Sequence, residues 1–467
     1  RVKDGNNNYD TTYEETKIDN EAPVITDTPS DITITEGESY NLNDISVTDN
    51  SGIYTITKTI NNTSTLKHGT YIVGYKVTDE AGNTTNITRN LKVQMATDTS
   101  GASTPNISSG MIPVVYDYGK EAFVKADTSN WYNYNNKEWA NIVLVSDTVR
   151  DKYNSALEGT QILENDVLAY YVWIPRYRYQ IFYDGVNATS KQLINIKFES
   201  KETSKSLGTA KTEWLTHPAF TFGSDELDGI WVGKFELTGD TTTPTIKPNV
   251  TSLRNLNVST FFTTSRKLNY GTIRDTSMIK NIEWGAVAYL TTSIYGQGLT
   301  EVRINNSSTY TTGCAATKEN GSSSYSGCEN AYNTIIGVLA STTGNISGIY
   351  DMSGGAWEYV MGVMEDSLGS NNPMILNSGF SNLPENKYYD IYKYGTSNID
   401  YTRYHLGDAT TETKSWNDDD PYFIYNTYPY LVRGGHYSYN NARAGIFAVG
   451  FENGIKNTFD STRAVLR

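Results

Sequence analysis

A chain of 467 residues is too long for one ordinary hydrophobic core and implies at least two domains. Lysine and arginine number 38 against 52 aspartate and glutamate, a formal net charge of -14, which with no basic stripe excludes a nucleic-acid groove. No apolar run approaches the ~18 residues a membrane-spanning helix needs. The polarity comes from Asn, Thr, Ser and Gly, with 36 tyrosines, the composition of an extracellular surface. Because the chain opens at Arg1 with neither an initiator Met nor an apolar signal core, a mature or trimmed fragment is expected. The Asn, Ile, Lys, Asp and Tyr bias suits a bacterial or phage origin.

In chain order, residues 1–21 carry almost no apolar content and are predicted to be flexible. From residue 22 the pattern turns to period two. Ile32 and Ile34, then Tyr71, Val73, Tyr75 and Val77, alternate with polar residues between turn formers, so 22–95 is predicted to be a small all-β sandwich. Its Asp49, Asp79 and Glu80 read as solvated turn residues in preference to calcium ligands. Residues 96–110, ATDTSGASTPNISSG, are predicted to be a flexible linker.

The second unit, 111–467, begins with strand-rich sequence that Pro175 should end. Asp275-Thr276-Ser277 offers a cap for a helix carrying Met278, Ile282, Ala286 and Tyr289 on one face. Cys314 and Cys328 flank a Gly/Ser-rich loop, and a disulfide between them is expected, zinc being the weaker alternative for want of a second Cys or His pair. Residues 344–362, GNISGIYDMSGGAWEYVMG, predict a tight hairpin with Trp357 turned inward. Arg433-Gly434-Gly435 predicts a further turn.

Several of these blocks carry family resemblances. APVIT, VTDNSG, GTYIVGYKVTDEAGN and LKV resemble the bacterial immunoglobulin-like repeats that space out surface proteins. Within 218–467, GIWVGKFELTGD, SMIKNIEWGAVAYL, GIYDMSGGAWEYV, LVRGG and STRAVLR resemble, in order, the blocks of the sulfatase-modifying-factor family, the formylglycine-generating enzyme and its relatives. That resemblance implies a C-type-lectin-like fold, hence an α+β chain with a sandwich at 22–95 followed by a loop-rich lectin-like domain at 111–467. The family's oxidases carry two copper-binding cysteines soon after the Arg-Gly-Gly turn, where this chain reads HYSYNNARAGIFAVG with none. Copper-dependent oxidase chemistry is therefore disfavoured and no catalytic residue is assigned. Structural calcium is the one cofactor the resemblance leaves open. Asn345 and Glu358 keep positions of that family site, while Gly355 replaces an asparagine ligand.

His68, His217, His405 and His436 are scattered, and His436 reads as a hydrogen-bonding surface group. Asp418-Asp419-Asp420 reads as a solvated loop. Tyrosine and asparagine concentrate between Lys387 and Asn441, the composition of a binding surface. Tyr437, Tyr439, Asn440 and Asn441 are the first candidates for ligand contact, with Tyr401 and Tyr404 as neighbours. This end also resembles the variable ligand-binding proteins of diversity-generating retroelements. The expected function is non-catalytic extracellular recognition or adhesion, at a cell or virion surface. The expected partner is a host or neighbouring-cell glycan or protein, with no nucleic acid. The alternative is a self-associating subunit of a surface appendage or phage tail.

Overall fold

The structure is a computed structural model that describes residues 2–3, 9–10, 19–182, 190–319, 321, 323–365, 377–440 and 443–467. The chain divides into a unit of residues 1–96 with 117–121 and a unit of residues 97–116 with 122–467. Most of the segment 1–21, expected to be flexible, lies outside the described residues.

Alternation builds the first unit. Along the Gly69–Asp79 strand Val73, Tyr75 and Val77 are buried while Ile72 and Lys76 face outward, as the period-two pattern requires. This strand pairs with Thr84–Gln94 on one side and Tyr54–Lys58 on the other, and Ile32–Thr35 adds in parallel to Thr84–Gln94. A short pair, Val24–Ile25 with Val47–Thr48, stands apart from that sheet. Ile32, Ile34, Leu42, Ile45, Leu91 and Val93 close the core with them. Burying such side chains contributes roughly 1.5–3 kcal/mol each, which a sandwich of this size needs.

Two large sheets form the frame of the second unit, beside smaller two- and three-stranded ones. The first runs Ala122–Lys125, Ile112–Asp117, Asn141–Val145, Val167–Pro175, Gly229–Gly233, Ala464–Leu466, Thr276–Met278. Asn141–Val145 and Val167–Pro175 are buried almost throughout, so their continuous apolar runs show no alternation. The second sheet runs Asp390–Tyr392, Trp357–Met364, Tyr430–Gly434, Gly445–Glu452, and Asp460–Thr462 pairs in parallel with Trp357–Met364. Residues 460–466 thus pass from one sheet to the other. Arg463, at the crossing, is fully buried and donates to both Glu358 oxygens at 3.1 and 2.5 Å and to the carbonyls of Gly233 and Tyr350 at 2.7 and 2.8 Å.

Three local expectations are corrected. Thr276–Met278 is a strand, claimed by its pairing with Ala464–Leu466, and the helix spans Asn281–Thr291. Its N-terminus is closed by the Lys280 N–H donating to Glu283 at 2.8 Å, and Arg467 grips the same carboxylate at 2.6 Å through two nitrogens. The stretch before Trp357 is not a hairpin arm. Asp351, Gly354 and Gly355 all take positive φ, and the Asp351 carboxylate accepts from the Gly313 N–H and the Asn305 amide, so side-chain bonds replace a ladder. Trp357 is only half-buried: its ring packs against Gly450, where a Cβ would approach to 3.1 Å, and the rest stays accessible.

Residues 97–110, read in the sequence as a small-residue linker, lie in the second unit. Asp98 accepts from the Tyr134 N–H at 2.8 Å, the Ser103 hydroxyl donates to Asp228 O at 2.6 Å, and the Trp231 indole donates to Asn106 O at 3.0 Å.

Candidate functional site

The loop between the Tyr430–Gly434 and Gly445–Glu452 strands leaves the sheet at two glycines with φ of +86° and +75°. At Gly435 a Cβ would stand 2.5 Å from the Ala444 Cα, so no larger residue fits. The chain then bonds to itself and to its neighbour: Tyr437 N–H donates to Gly355 O and Tyr439 N–H to His436 O, each at 2.9 Å.

These bonds place Tyr437 and Tyr439 in a continuous run of rings drawn from four parts of the sequence. Tyr437 meets Tyr310 edge-on with centroids 4.8 Å apart, and the Arg254 guanidinium lies 3.6 Å over the Tyr310 ring. On the other side His436 lies 3.9 Å from Tyr439 and 5.0 Å from Phe459, while Tyr439 reaches Trp357 at 6.1 Å. Tyr310 and His436 are buried, Tyr437, Tyr439 and Trp357 are half-buried, and Phe459 is 41% exposed. The result is an aromatic shelf with buried supports and accessible upper rings.

Burial holds His436 neutral, with its pKa lowered to about 4, and its Nδ1 accepts from the Ser438 hydroxyl at 3.1 Å. It is therefore not the surface group the sequence suggested. Burial, then the neighbouring Tyr437 hydroxyl, raises the Tyr310 phenol well above its usual range, so Tyr310 stays protonated.

Beneath the shelf lies buried Glu236. The Ala356 N–H donates to it at 2.8 Å, and the Ser252 hydroxyl meets its other oxygen while the Ser252 N–H donates to Tyr310 O at 3.0 Å. One carboxyl thereby braces both Tyr310 and the Gly355–Ala356 segment that anchors Tyr437. Burial, reinforced by Asp351 and Glu358, pushes its pKa well above the carboxylate range. Gly355 belongs here for a steric reason: at φ +71° its Cβ would fall 2.4 Å from Glu236.

The residues named for a calcium site do not suit one. Asn345 turns its amide oxygen to Ser347 and Thr343 and its nitrogen to Lys137 O, and Glu358 is committed to Arg463. Elsewhere, in the first unit, Asp19, Asp49 and Asp79 bring one carboxylate oxygen each within 4.8 Å of the others. Asp79 already accepts from Asn83 and Asp49 from Ser51. Cys314 and Cys328 are disulfide-bonded to each other. The loop they close begins four residues after Tyr310.

The remaining candidates fall elsewhere. Asn440 is exposed and caps the loop by accepting from the Arg443 and Ala444 N–H groups. Asn441 lies outside the described residues. Tyr401 is not on the shelf: its ring packs on Phe423, the Lys414 amine lies over the ring, and its hydroxyl donates to Pro421 O. Tyr404 is half-buried, with no ring contact to Tyr437 or Tyr439 among the described residues. Tyr388, Tyr392 and Tyr430, from the same tyrosine-rich stretch, are buried too and hold loops together. Asp419, read as solvated, is buried and accepts from the Phe447 N–H at 2.9 Å, and burial drives its pKa well up. Sequence reasoning missed Arg254, Tyr310 and Phe459, which lie far from the tyrosine-rich stretch or beyond its end and carry no motif.

Residues 25–93 match the family described as bacterial surface protein, Ig-like domain. No curated protein matches the chain. Among solved structures one similar chain is that of CBM51-2 in complex with GlcNAc and INT domains from Clostridium perfringens ZmpB. It is 15% identical over 34% of this chain and 32% of that one, with a TM-score of 0.13, a likeness too slight to bear on fold or ligand. Among the described residues no helix is long and apolar enough to cross a membrane.

Proposed function

We propose that this is a surface-associated recognition protein whose second unit binds a glycan on the aromatic shelf of Tyr437, Tyr439, Trp357 and Phe459. The observation that carries this reading is the combination of accessible ring faces with a buried, hydrogen-bonded support. Flat rings offer stacking area to the apolar faces of sugars, their hydroxyls and Arg254 offer hydrogen bonds, and few rotors must be frozen on binding. The surface immunoglobulin-like match at 25–93 supports an extracellular setting for that face.

The reading is non-catalytic: His436 is held neutral by burial and both cysteines are spent in a disulfide, so the shelf has no thiolate to hold copper. For residues 111–467 we retain a lectin-like, sulfatase-modifying-factor-like arrangement, supported by the ordered blocks whose Glu283, Glu358, Arg463 and Arg467 form buried ion pairs. Screening the chain against immobilised glycans and surface proteins tests the proposal. Glycan binding lost in Tyr437→Ala/Tyr439→Ala is the expected result. Binding to proteins alone overturns the glycan class, and regular self-assembly without ligand favours an appendage subunit.

A further inference from the structure

Lys234 follows the Gly229–Gly233 strand and is fully buried. Its amine does not reach water. It points across the first sheet to the Asn141–Val145 strand, and Nζ lies 2.8 Å from Asn141 Oδ1. The orientation of that amide is set independently, because Asn141 Nδ2 donates to Trp139 O at 2.9 Å and Ser347 O at 2.8 Å, so the carbonyl side must face the amine. The Phe123 and Tyr350 ring centroids each lie 5.6 Å from Nζ, which also meets the Ile346 and Gly348 carbonyls. Glu138, just before Asn141 in sequence, is buried as well and is the charge that acts on Lys234.

We infer that Lys234 and Asn141 form an intramolecular isopeptide bond, with Glu138 as the proton carrier. A buried amine, a carboxamide held with its carbonyl toward that amine, and a buried carboxyl group three residues before the asparagine, whose charge acts on the lysine, are the reactants and the acid–base group such a bond requires. Burial lowers the Lys234 pKa well below its ordinary value, which supplies the free amine as nucleophile. The amine lone pair forms the Nζ–Cγ bond. One amine proton passes through Glu138 to Nδ2, the Cγ–Nδ2 bond breaks with its electron pair on nitrogen, and ammonia leaves. No oxidant or reductant is needed. The product links the Asn141–Val145 and Gly229–Gly233 strand regions across Val167–Pro175, the strand between them in the sheet.

The competing state is an unreacted ammonium that donates to Asn141 Oδ1, to Ile346 O at 2.6 Å and to Gly348 O at 2.8 Å. Mass spectrometry of the reduced full-length chain separates the two states. The expected result is a mass lower than the sequence mass by one ammonia, and a tryptic branched peptide joining residues 141 and 234 in fragment spectra. Glu138→Gln, checked by its melting curve to be folded, should give separate peptides at full mass. Unmodified Asn141 and Lys234 in separate wild-type peptides overturn the bond. A branched peptide of undiminished yield in folded Glu138→Gln overturns the role of Glu138.

Discussion

Replacing Arg463 by Met should destabilise the second unit by about 4 kcal/mol, within the range of ~3–5 kcal/mol for breaking a buried ion pair. Both partners are fully buried, so no solvent screens the loss. The variant leaves the Glu358 carboxyl without its guanidinium and the Gly233 and Tyr350 carbonyls without donors. One effect limits the cost. Burial holds the Glu358 pKa at about 7 even beside Arg463, so without the arginine the carboxyl takes up a proton instead of remaining a bare anion. The deficit should therefore be larger at pH 8, where the wild-type pair is charged, than at pH 5. At roughly 2–4 °C per kcal/mol for a large domain, the melting temperature should fall by about 10 °C at pH 8. Urea unfolding followed by tryptophan fluorescence gives the free energy, and Arg463→Met/Glu358→Leu should recover most of it by replacing the pair with apolar packing. A loss under about 1 kcal/mol for the single variant would refute the claim that this pair ties residues 460–466 between the two sheets.

Glu412 accepts from the Tyr179 and Tyr289 hydroxyls and the Gly407 N–H, yet burial raises its pKa to about 7. A raised acid contributes stability below its unfolded value that is lost as pH climbs, so Glu412→Gln should gain on wild type by about 3 kcal/mol between pH 4 and pH 8. Equal pH profiles for the two chains in urea melts would dismiss this. Cys314→Ser/Cys328→Ser should cost about 3 kcal/mol, as expected for a loop with a sequence separation of 14. An unchanged unfolding midpoint would show that the bridge does not restrict the unfolded chain. Gly355→Ala should be destabilising by at least 1 kcal/mol, from its positive φ and its 2.4 Å approach to Glu236. It should also weaken ligand binding by moving the carbonyl that anchors Tyr437.

The parts legible in the sequence were those governed by local periodicity. Val73, Tyr75 and Val77 alternate because one face of their strand meets a core and the other meets water, and that pattern needs no partner to be read. The tyrosine-rich stretch pointed to the loop after Gly435 by composition alone, but composition does not separate an accessible ring such as Tyr437 from a buried one such as Tyr401. That distinction comes from what packs against each ring, Tyr310 in one case and Phe423 in the other. Asp275-Thr276-Ser277 read as a cap and Met278 as helical because the strand partner of Thr276–Met278 lies at the far end of the chain. Lys234 and Asn141 gave no signal for the same reason, and Glu236 was read only as a position of the GIWVGKFELTGD block: their chemistry arises from partners brought together by the fold.

The most direct test of the aromatic shelf is a titration of the wild-type chain and of Tyr437→Ala/Tyr439→Ala against the glycan that binds wild type most tightly, with a melting curve for each. The expected result is a loss of roughly thirtyfold or more in affinity, corresponding to about 2 kcal/mol for central aromatic contacts, and a melting temperature nearly unchanged, since both rings are half-buried. Undiminished affinity in a folded double variant, or a domain that unfolds when these two rings are removed, would contradict it.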